Sequence, residues 1–259
     1  MDVLKLDHVF KSFARPDKTG VTTALSDVSL TVTAGEFISI VGPSGCGKST
    51  ILRLIAGLIF PTQGTVTLND EPISGPSPER GMAFQMPKLF PWLTVERNLT
   101  FSGRMRREQR RSQEVVDQYL HMAGLAEFRN EFPHQLSGGM AQRLALIRTM
   151  INQPRVMLLD EPLGALDAFT RMDMQDRLLE LWQHQKCMVV MVTHDIDEAI
   201  YMGSKVVVMA PRPGRIREVI DVDLPYPRNR AGSQFMELHR RILTLLDFGH
   251  GDDLDIERR

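Results

Sequence analysis

The sequence predicts an α/β fold with a mixed or parallel core sheet, an antiparallel β subdomain at the N-terminus and a helical subdomain inserted in the middle. Three observations predict it. Phe37–Val41, Val156–Leu159 and Met188–Val192 are nearly continuous apolar runs, the pattern of strands buried on both faces of a parallel sheet. Two of these runs are followed by helical spacing. Short alternating strands fill the first third of the chain and vanish between residues 86 and 151.

Taken in order, Val3–Leu6, Val28–Val32 and Thr65–Leu68 alternate apolar with polar between Gly, Pro, Asn or Asp, as half-solvated antiparallel strands do. After Phe37–Val41, the residues Ile51, Leu54, Ile55 and Leu58 predict an amphipathic helix. From about 86 to 151 helical spacing takes over, as in Leu144, Ile147 and Ile151, and five arginines crowd between Arg104 and Arg111. That arginine run reads as a solvated helix face in preference to a lipid or nucleic-acid contact. Val156–Leu159 leads into a helix marked by Met174, Leu178, Leu181 and Trp182, and Met188–Val192 follows. Right-handed crossovers place the ends of the buried strands on one edge, where loops collect functional groups. The expected organisation is one domain over residues 1–225, with the helical subdomain inserted at about 86–151. Residues 226–259 form an appended amphipathic helix (Phe235, Leu238, Ile242, Leu245, Leu246) and a tail whose last dozen residues are expected to be disordered.

Composition narrows the function. The 259 residues are 42% hydrophobic and 24% charged, against disordered and fibrous classes. The net charge of −1 gives no global basic field for nucleic acid. Cys46 and Cys187 stand far apart without a CxxC or Cys/His cluster, so a disulfide scaffold and a zinc module lack support and a reducing cytosol fits best. No run approaches the ~18 apolar residues that span a bilayer, and the first residues lack a signal-peptide layout. The chain is expected neither to cross a membrane nor to be exported.

Gly42-Pro43-Ser44-Gly45-Cys46-Gly47-Lys48-Ser49 fits the phosphate-loop pattern G-x-x-x-x-G-K-[ST], directly after a buried strand and before an amphipathic helix. The glycines let backbone N–H groups turn toward phosphate oxygens, and Lys48 suits the β and γ charge. The Ser49 hydroxyl suits Mg²⁺, and Thr50 lies at a helix N-terminus, where anions are favoured. A chance glycine turn is the competing reading, disfavoured by the flanking strand and helix. Cys46 reads first as a small filler of the loop and second as a thiol that ATP would protect.

Asp160-Glu161 ends the second buried run. The first carboxylate suits Mg²⁺, directly or through water, and the second suits polarising a water that attacks a γ-phosphate. Alone, the pair could be a strand meeting solvent; beside a phosphate loop it reads as catalytic. His194 follows the third buried run. A lone His at a strand end is often structural, but this one belongs to the edge expected to carry Lys48 and Glu161, which favours contact with the γ-phosphate. Ser137, before Gly138 and Gly139, reads as the N-cap of a helix whose N–H groups form a second anion nest, or simply as the cap of a helix. Two anion nests with one lysine-bearing loop are reconciled by a dimer that shares each nucleotide.

In this order, Gly42 to Thr50, Gln85, Leu136 to Gln142, Asp160-Glu161, Ala165-Leu166-Asp167 and His194 resemble the motif set of the ATP-binding subunit of an ABC transporter, over roughly residues 1–225. The resemblance implies an ABC-type P-loop NTPase that uses ATP and Mg²⁺. It implies a head-to-tail homodimer, with ATP between the Lys48 loop of one subunit and Ser137, Gly138 and Gly139 of the other. It further implies that Gln85 touches Mg²⁺ and the attacking water, that Asp167 lies at the dimer seam and that Phe13 stacks on adenine. Phe13 stands where the family often has Tyr, and a core position is its alternative. Gly164 replaces a common Ser, a variant seen in importers.

Ser77 to Gln85, Leu89 to Val95, Gly164 to Arg171 and Ala210 to Ile216 resemble the nitrate, sulfonate and taurine importer group, from which Leu163 and Met202-Gly203-Ser204-Lys205 depart. The expectation is an ATP-hydrolysing subunit, peripheral at the cytoplasmic face of the inner (plasma) membrane. Its implied partners are two transmembrane permease subunits and, through them, a solute-binding protein; no nucleic-acid partner is expected. Leu89-Phe90-Pro91-Trp92 reads either as a seat for a short permease helix or as packing of the helical subdomain onto the core. The alternatives for the whole chain are an exporter subunit and a soluble ABC-type ATPase acting on nucleic acid or ribosomes.

Overall fold

The computed structural model describes residues 2–15, 20–105 and 112–247. They form two units, one built from the chain up to Ser77 and from Met188 onward, the other from Pro78–Cys187. In chain order the first unit begins with β1 (Val3–Ala14), β2 (Val21–Thr33), β3 (Phe37–Val41), α1 (Lys48–Ile55), β4 (Gln63–Leu68) and β5 (Glu71–Pro72). The second unit holds β6 (Arg80–Ala83), α2 (Val95–Leu99), α3 (Phe101–Met105), α4 (Gln113–Met122), α5 (Gly138–Met150), β7 (Val156–Asp160) and α6 (Ala168–Gln185). The first unit resumes with β8 (Met188–Val192), α7 (Ile196–Met202), β9 (Lys205–Ala210), β10 (Arg215–Asp221) and α8 (Ser233–Asp247).

In the first unit, β2-β1-β4-β5 make the antiparallel sheet that the alternating N-terminal pattern predicts. Its first two strands are much longer than that pattern, 12 and 13 residues. Bulges explain the difference. The β1–β2 register shifts between Leu6 and Val9, where His8 (φ 47°) and Asp27 (φ 54°) adopt left-handed backbone, so pairing resumes after the alternation has been broken. The second sheet of this unit is mixed. All five residues of β3 are buried, between β8 and β9, both parallel to it, and β10 runs antiparallel to β9.

Helix α1 stops at Ile55, short of the periodicity that includes Leu58. Gly57 (φ 73°) is the reason. Its left-handed backbone lets Leu58 N–H donate to Arg53 O at 2.9 Å, which closes the helix and leaves Leu58 45% exposed. Helix α8 packs on α7 and β9 with Phe235 and Ile242 buried, so the amphipathic segment covers its own unit. Residues 248–259, including the tail expected to be disordered, lie outside the described residues.

In the second unit β6 and β7 are parallel, paired from Arg80–Val156 to Ala83–Leu159. Between residues 86 and 151 the described residues contain helices and no strand. Leu144 and Ile147 of α5 are buried, and α5 packs on α2 and β6. Arg104, in the last turn of α3, is exposed, while residues 106–111 of the arginine run lie outside the described residues. No helix among the described residues is long and apolar enough to cross a membrane.

Candidate nucleotide site

The phosphate loop lies in the first unit, directly after β3. Gly45 (φ 79°) and Gly47 (φ 94°) are left-handed, a conformation that turns successive N–H groups to one side. Gly47 is also the N-cap of α1 and offers it no side-chain acceptor. The first backbone bond of that helix is from Ile51 N–H to Gly47 O, so Lys48, Ser49 and Thr50 carry its terminal donors. Positive helix end and left-handed turn coincide, as an anion site requires. Lys48 is buried, and its ammonium donates to Gly42 O at 2.7 Å and Pro43 O at 3.1 Å. Its donors thus brace the loop from within, two on backbone carbonyls and a third toward the Cys46 sulfur. Pro43 and Ser44 are exposed on the outer turn. Cys46 is fully buried, its Sγ 4.0 Å from Lys48 Nζ, and burial pushes its thiol above the ordinary value.

His194 belongs to the same end of the same sheet. β8 lies beside β3 with Ile40 opposite Val192, and Thr193 N–H donates to Ile40 O at 3.2 Å. The exposed His194 therefore leaves its strand next to the strand that feeds the phosphate loop. Phe13 sits on β1 opposite Thr22, 40% exposed, with Lys11 Nζ 5.0 Å from its ring centre. It is a surface aromatic and not a core residue.

The second unit assembles the carboxylates. Because β6 and β7 are parallel and in register, Gln85 and Glu161, 76 positions apart, leave their strands at one end; Gln85 Nε2 donates to Glu161 Oε2 at 3.0 Å. Glu161 has φ 46°, a left-handed backbone that non-glycine residues seldom adopt. Such strain, worth about 1–3 kcal/mol, concentrates at functional sites. The preceding Asp160 is 6% exposed at the strand terminus, an enclosed carboxylate.

The same unit carries the Ser137 helix start, the candidate for a second anion nest. Ser137 is the N-cap of α5, its Oγ accepting from Met140 N–H at 3.2 Å. Capping uses the oxygen as acceptor and leaves its O–H free to donate. Gly138 is exposed beside it. A Cβ on Gly139 would stand 3.0 Å from Leu166 Cδ2, so the Ala165-Leu166-Asp167 loop lies against the nest. Asp167 caps α6 by accepting from Thr170 N–H at 3.0 Å, a bond that holds its carboxyl below the ordinary value.

Two contributors escape the sequence. Asn98, fully buried in α2, donates to the carbonyls of Phe90, Leu93 and Thr94 and accepts from Phe90 N–H. It shapes the Phe90–Trp92 loop, and its only signal is an amide on an otherwise apolar helix face. Gly214, before β10, is the other: it lies in the Ala210 to Ile216 stretch already singled out, but its approach to the phosphate loop, where a Cβ would stand 1.9 Å from Cys46 O, has no local signature.

The family model described as ABC transporter matches residues 25–164. An uncharacterized ABC transporter ATP-binding protein of Methanocaldococcus jannaschii is 45% identical over 224 residues, covering 86% of this chain and 84% of the relative. An aliphatic sulfonates import ATP-binding protein of Bacillus cereus is 39% identical over 246 residues, 95% of this chain and 96% of the relative. Among solved structures, the dimeric post-hydrolysis state of an ATP-binding cassette bound to ADP and Pi superposes with a TM-score of 0.76 at 32% identity, over 85% of this chain and 98% of that one. The chain belongs to the ATP-binding subunits of ABC transporters and is an ATPase of that family.

Proposed function

We propose that this ATPase energises an importer for a small solute such as an aliphatic sulfonate, nitrate or taurine. The Gln85–Glu161 hydrogen bond on a left-handed Glu161 carries the hydrolytic part of this reading. The importer part rests on the 39% identity with the sulfonate import protein over 95% of the chain. We assign residues 1–225 to the ATPase domain, with about 86–151 as its helical subdomain and 226–259 as an appended segment.

In this mechanism Gly42 to Thr50 hold the triphosphate, with Lys48 against the β and γ oxygens, and Phe13 offers a ring to adenine. Ser137, Gly138 and Gly139 of a second copy complete each site, with Asp167 at the seam of the homodimer. The donor set that would hold Mg²⁺, the Ser49 hydroxyl, the Asp160 carboxylate and the Gln85 amide oxygen, is made of hard oxygens that suit this ion. Gln85 fits because its amide N–H is spent on Glu161, which leaves its oxygen available. When bound, Mg²⁺ supplies charge neutralisation at the β and γ oxygens. Glu161 accepts a proton from water as the water oxygen bonds to the γ-phosphorus. The bond to the ADP oxygen breaks, His194 donates to the transferred phosphoryl oxygens, and ADP and phosphate leave.

Two permease subunits are the proposed membrane partners, with a solute-binding protein engaged through them, at the cytoplasmic face of the inner membrane. Their seat is a groove of about 440 Å³ in the second unit, lined by Phe84, Phe90, Phe101 and Arg148. Phe90 packs on Phe101 at 4.1 Å between ring centres, whereas the neighbouring Trp92 is 68% exposed. The loop thus divides into an anchor and an exposed aromatic, Trp92, whose ring centre lies 5.6 Å from that of Phe90, the arrangement of an interface hot spot.

Glu161→Gln tests the reading. Turnover should fall about a hundredfold or more while ATP affinity stays, because only the base is lost. Undiminished hydrolysis would remove the base assignment. The ATP-loaded variant, used to capture partners from detergent-solubilised membranes, should bring down a multi-spanning permease; soluble nucleoprotein alone would count against the importer.

A further inference from the structure

We propose that Arg212 is a second cation of the nucleotide site, held beside the phosphate loop by the Pro211–Gly214 turn and acting on ATP capture and not on turnover. The proposal rests on the phosphate-loop reading above. Its basis is a junction of three backbone segments within the first unit. Gly214 N–H donates to Ala24 O at 3.0 Å, and Gly214 O accepts from Ser26 N–H at 2.9 Å. A Cβ on Gly214 would stand 1.9 Å from Cys46 O, and a Cβ on Gly47 would stand 2.5 Å from Leu25 Cδ2. The turn, strand β2 and the phosphate loop therefore touch with no room for a methyl group between them. The position of the turn relative to the loop is set by backbone contact.

Arg212 is the residue that this junction delivers. Prolines on both sides, Pro211 and Pro213, restrict the backbone that carries it. Its guanidinium lies over Gly45, with Nη2 3.3 Å, Nε 3.5 Å and Cζ 3.8 Å from the position of a Cβ there. Some arginines are tied down by carboxylates, Arg155 by Glu79 and Arg177 by Asp173. Arg212 is exposed, and no carboxylate among the described residues pairs with it. Its charge is therefore uncommitted at the rim of a loop whose own lysine spends two donors on Gly42 and Pro43. A triphosphate carries more negative charge than one ammonium offsets, and a guanidinium several ångströms away attracts it in ground state and transition state alike. Such uniform attraction lowers KM and leaves kcat unchanged. For an exposed cation the effect is about three- to tenfold at low salt.

The experiment compares wild type, Arg212→Ala, Arg212→Lys and Lys48→Ala by steady-state ATPase kinetics and calorimetric titration with Mg²⁺-ATP. Arg212→Ala should raise KM and Kd about three- to tenfold with kcat within about twofold, and Arg212→Lys should recover most of the loss. The difference should shrink between about 0.05 M and 1 M salt as screening shortens. An Arg212→Ala protein with wild-type KM and Kd, beside a Lys48→Ala protein that binds poorly, overturns the role of Arg212 alone. A raised KM that lysine does not rescue and salt does not alter overturns it too. Full affinity in Lys48→Ala overturns the phosphate-loop reading, and this proposal with it.

Discussion

Glu161 shows how far a single residue could be read. Its carboxylate at the end of an apolar run is visible in the sequence, and so is the whole phosphate loop, because those signals are local. Its partner is not local: Gln85 stands 76 positions away and meets it only because two parallel strands end together. A family resemblance, and nothing in the spacing, pointed to Gln85. The two thiols can be judged at the same scale. Cys46 is fully buried, with burial raising its thiol, and burial pushes Cys187 up to about 11. At neutral pH neither supplies much thiolate, the reactive form. In the native protein a disulfide reagent should therefore titrate neither thiol within minutes, and both should react once denaturant is added. A fast native thiol that ATP protects would restore the reactive reading of Cys46 over the filler reading.

At the scale of elements, the loop between β6 and α2 makes a sharp prediction. Asn98 fixes the backbone on which Phe90 and Trp92 stand, so the exposed ring of Trp92 contributes little to folding. Trp92→Ala should leave basal ATPase and melting temperature near wild type and abolish ATP-driven transport in the assembled system. A large fall in melting temperature would instead make the ring a packing element. The elements themselves differ in how openly the sequence announces them. β3, β7 and β8 are buried on every residue and stand out as apolar runs. β6 is Arg-Gly-Met-Ala, with no apolar pattern; it is a strand because β7 pairs with it. A Cβ on Gly81 there would meet Thr149 Cγ2 at 2.8 Å, so glycine answers a packing need that no local rule reveals. Gly214 is the same case: its pairing with Ala24 and Ser26 is tertiary, and so the place of Arg212 is tertiary too.

At the scale of the whole molecule, one chain carries a lysine-bearing loop in its first unit and the Ser137 nest in its second, and the solved relative is a dimer with ADP and Pi. If the nest of one copy closes on nucleotide held by the loop of another, dimerisation depends on ATP, on Lys48 and on Ser137, each in a different way. Glu161→Gln with saturating ATP should elute at about twice the monomer mass of 29.3 kDa in size-exclusion chromatography with light scattering. Without nucleotide it should elute as the monomer. Adding Lys48→Ala should remove the dimer together with ATP affinity. Adding Ser137→Arg should remove the dimer and leave monomer affinity for ATP, because Ser137 caps α5 and takes no part in the loop that follows β3. The lost cap should cost about 1 kcal/mol, too little to unfold the chain. A Ser137→Arg protein that still dimerises on ATP would show that this nest does not meet the nucleotide, and the shared-site arrangement would fall even with the ATPase intact.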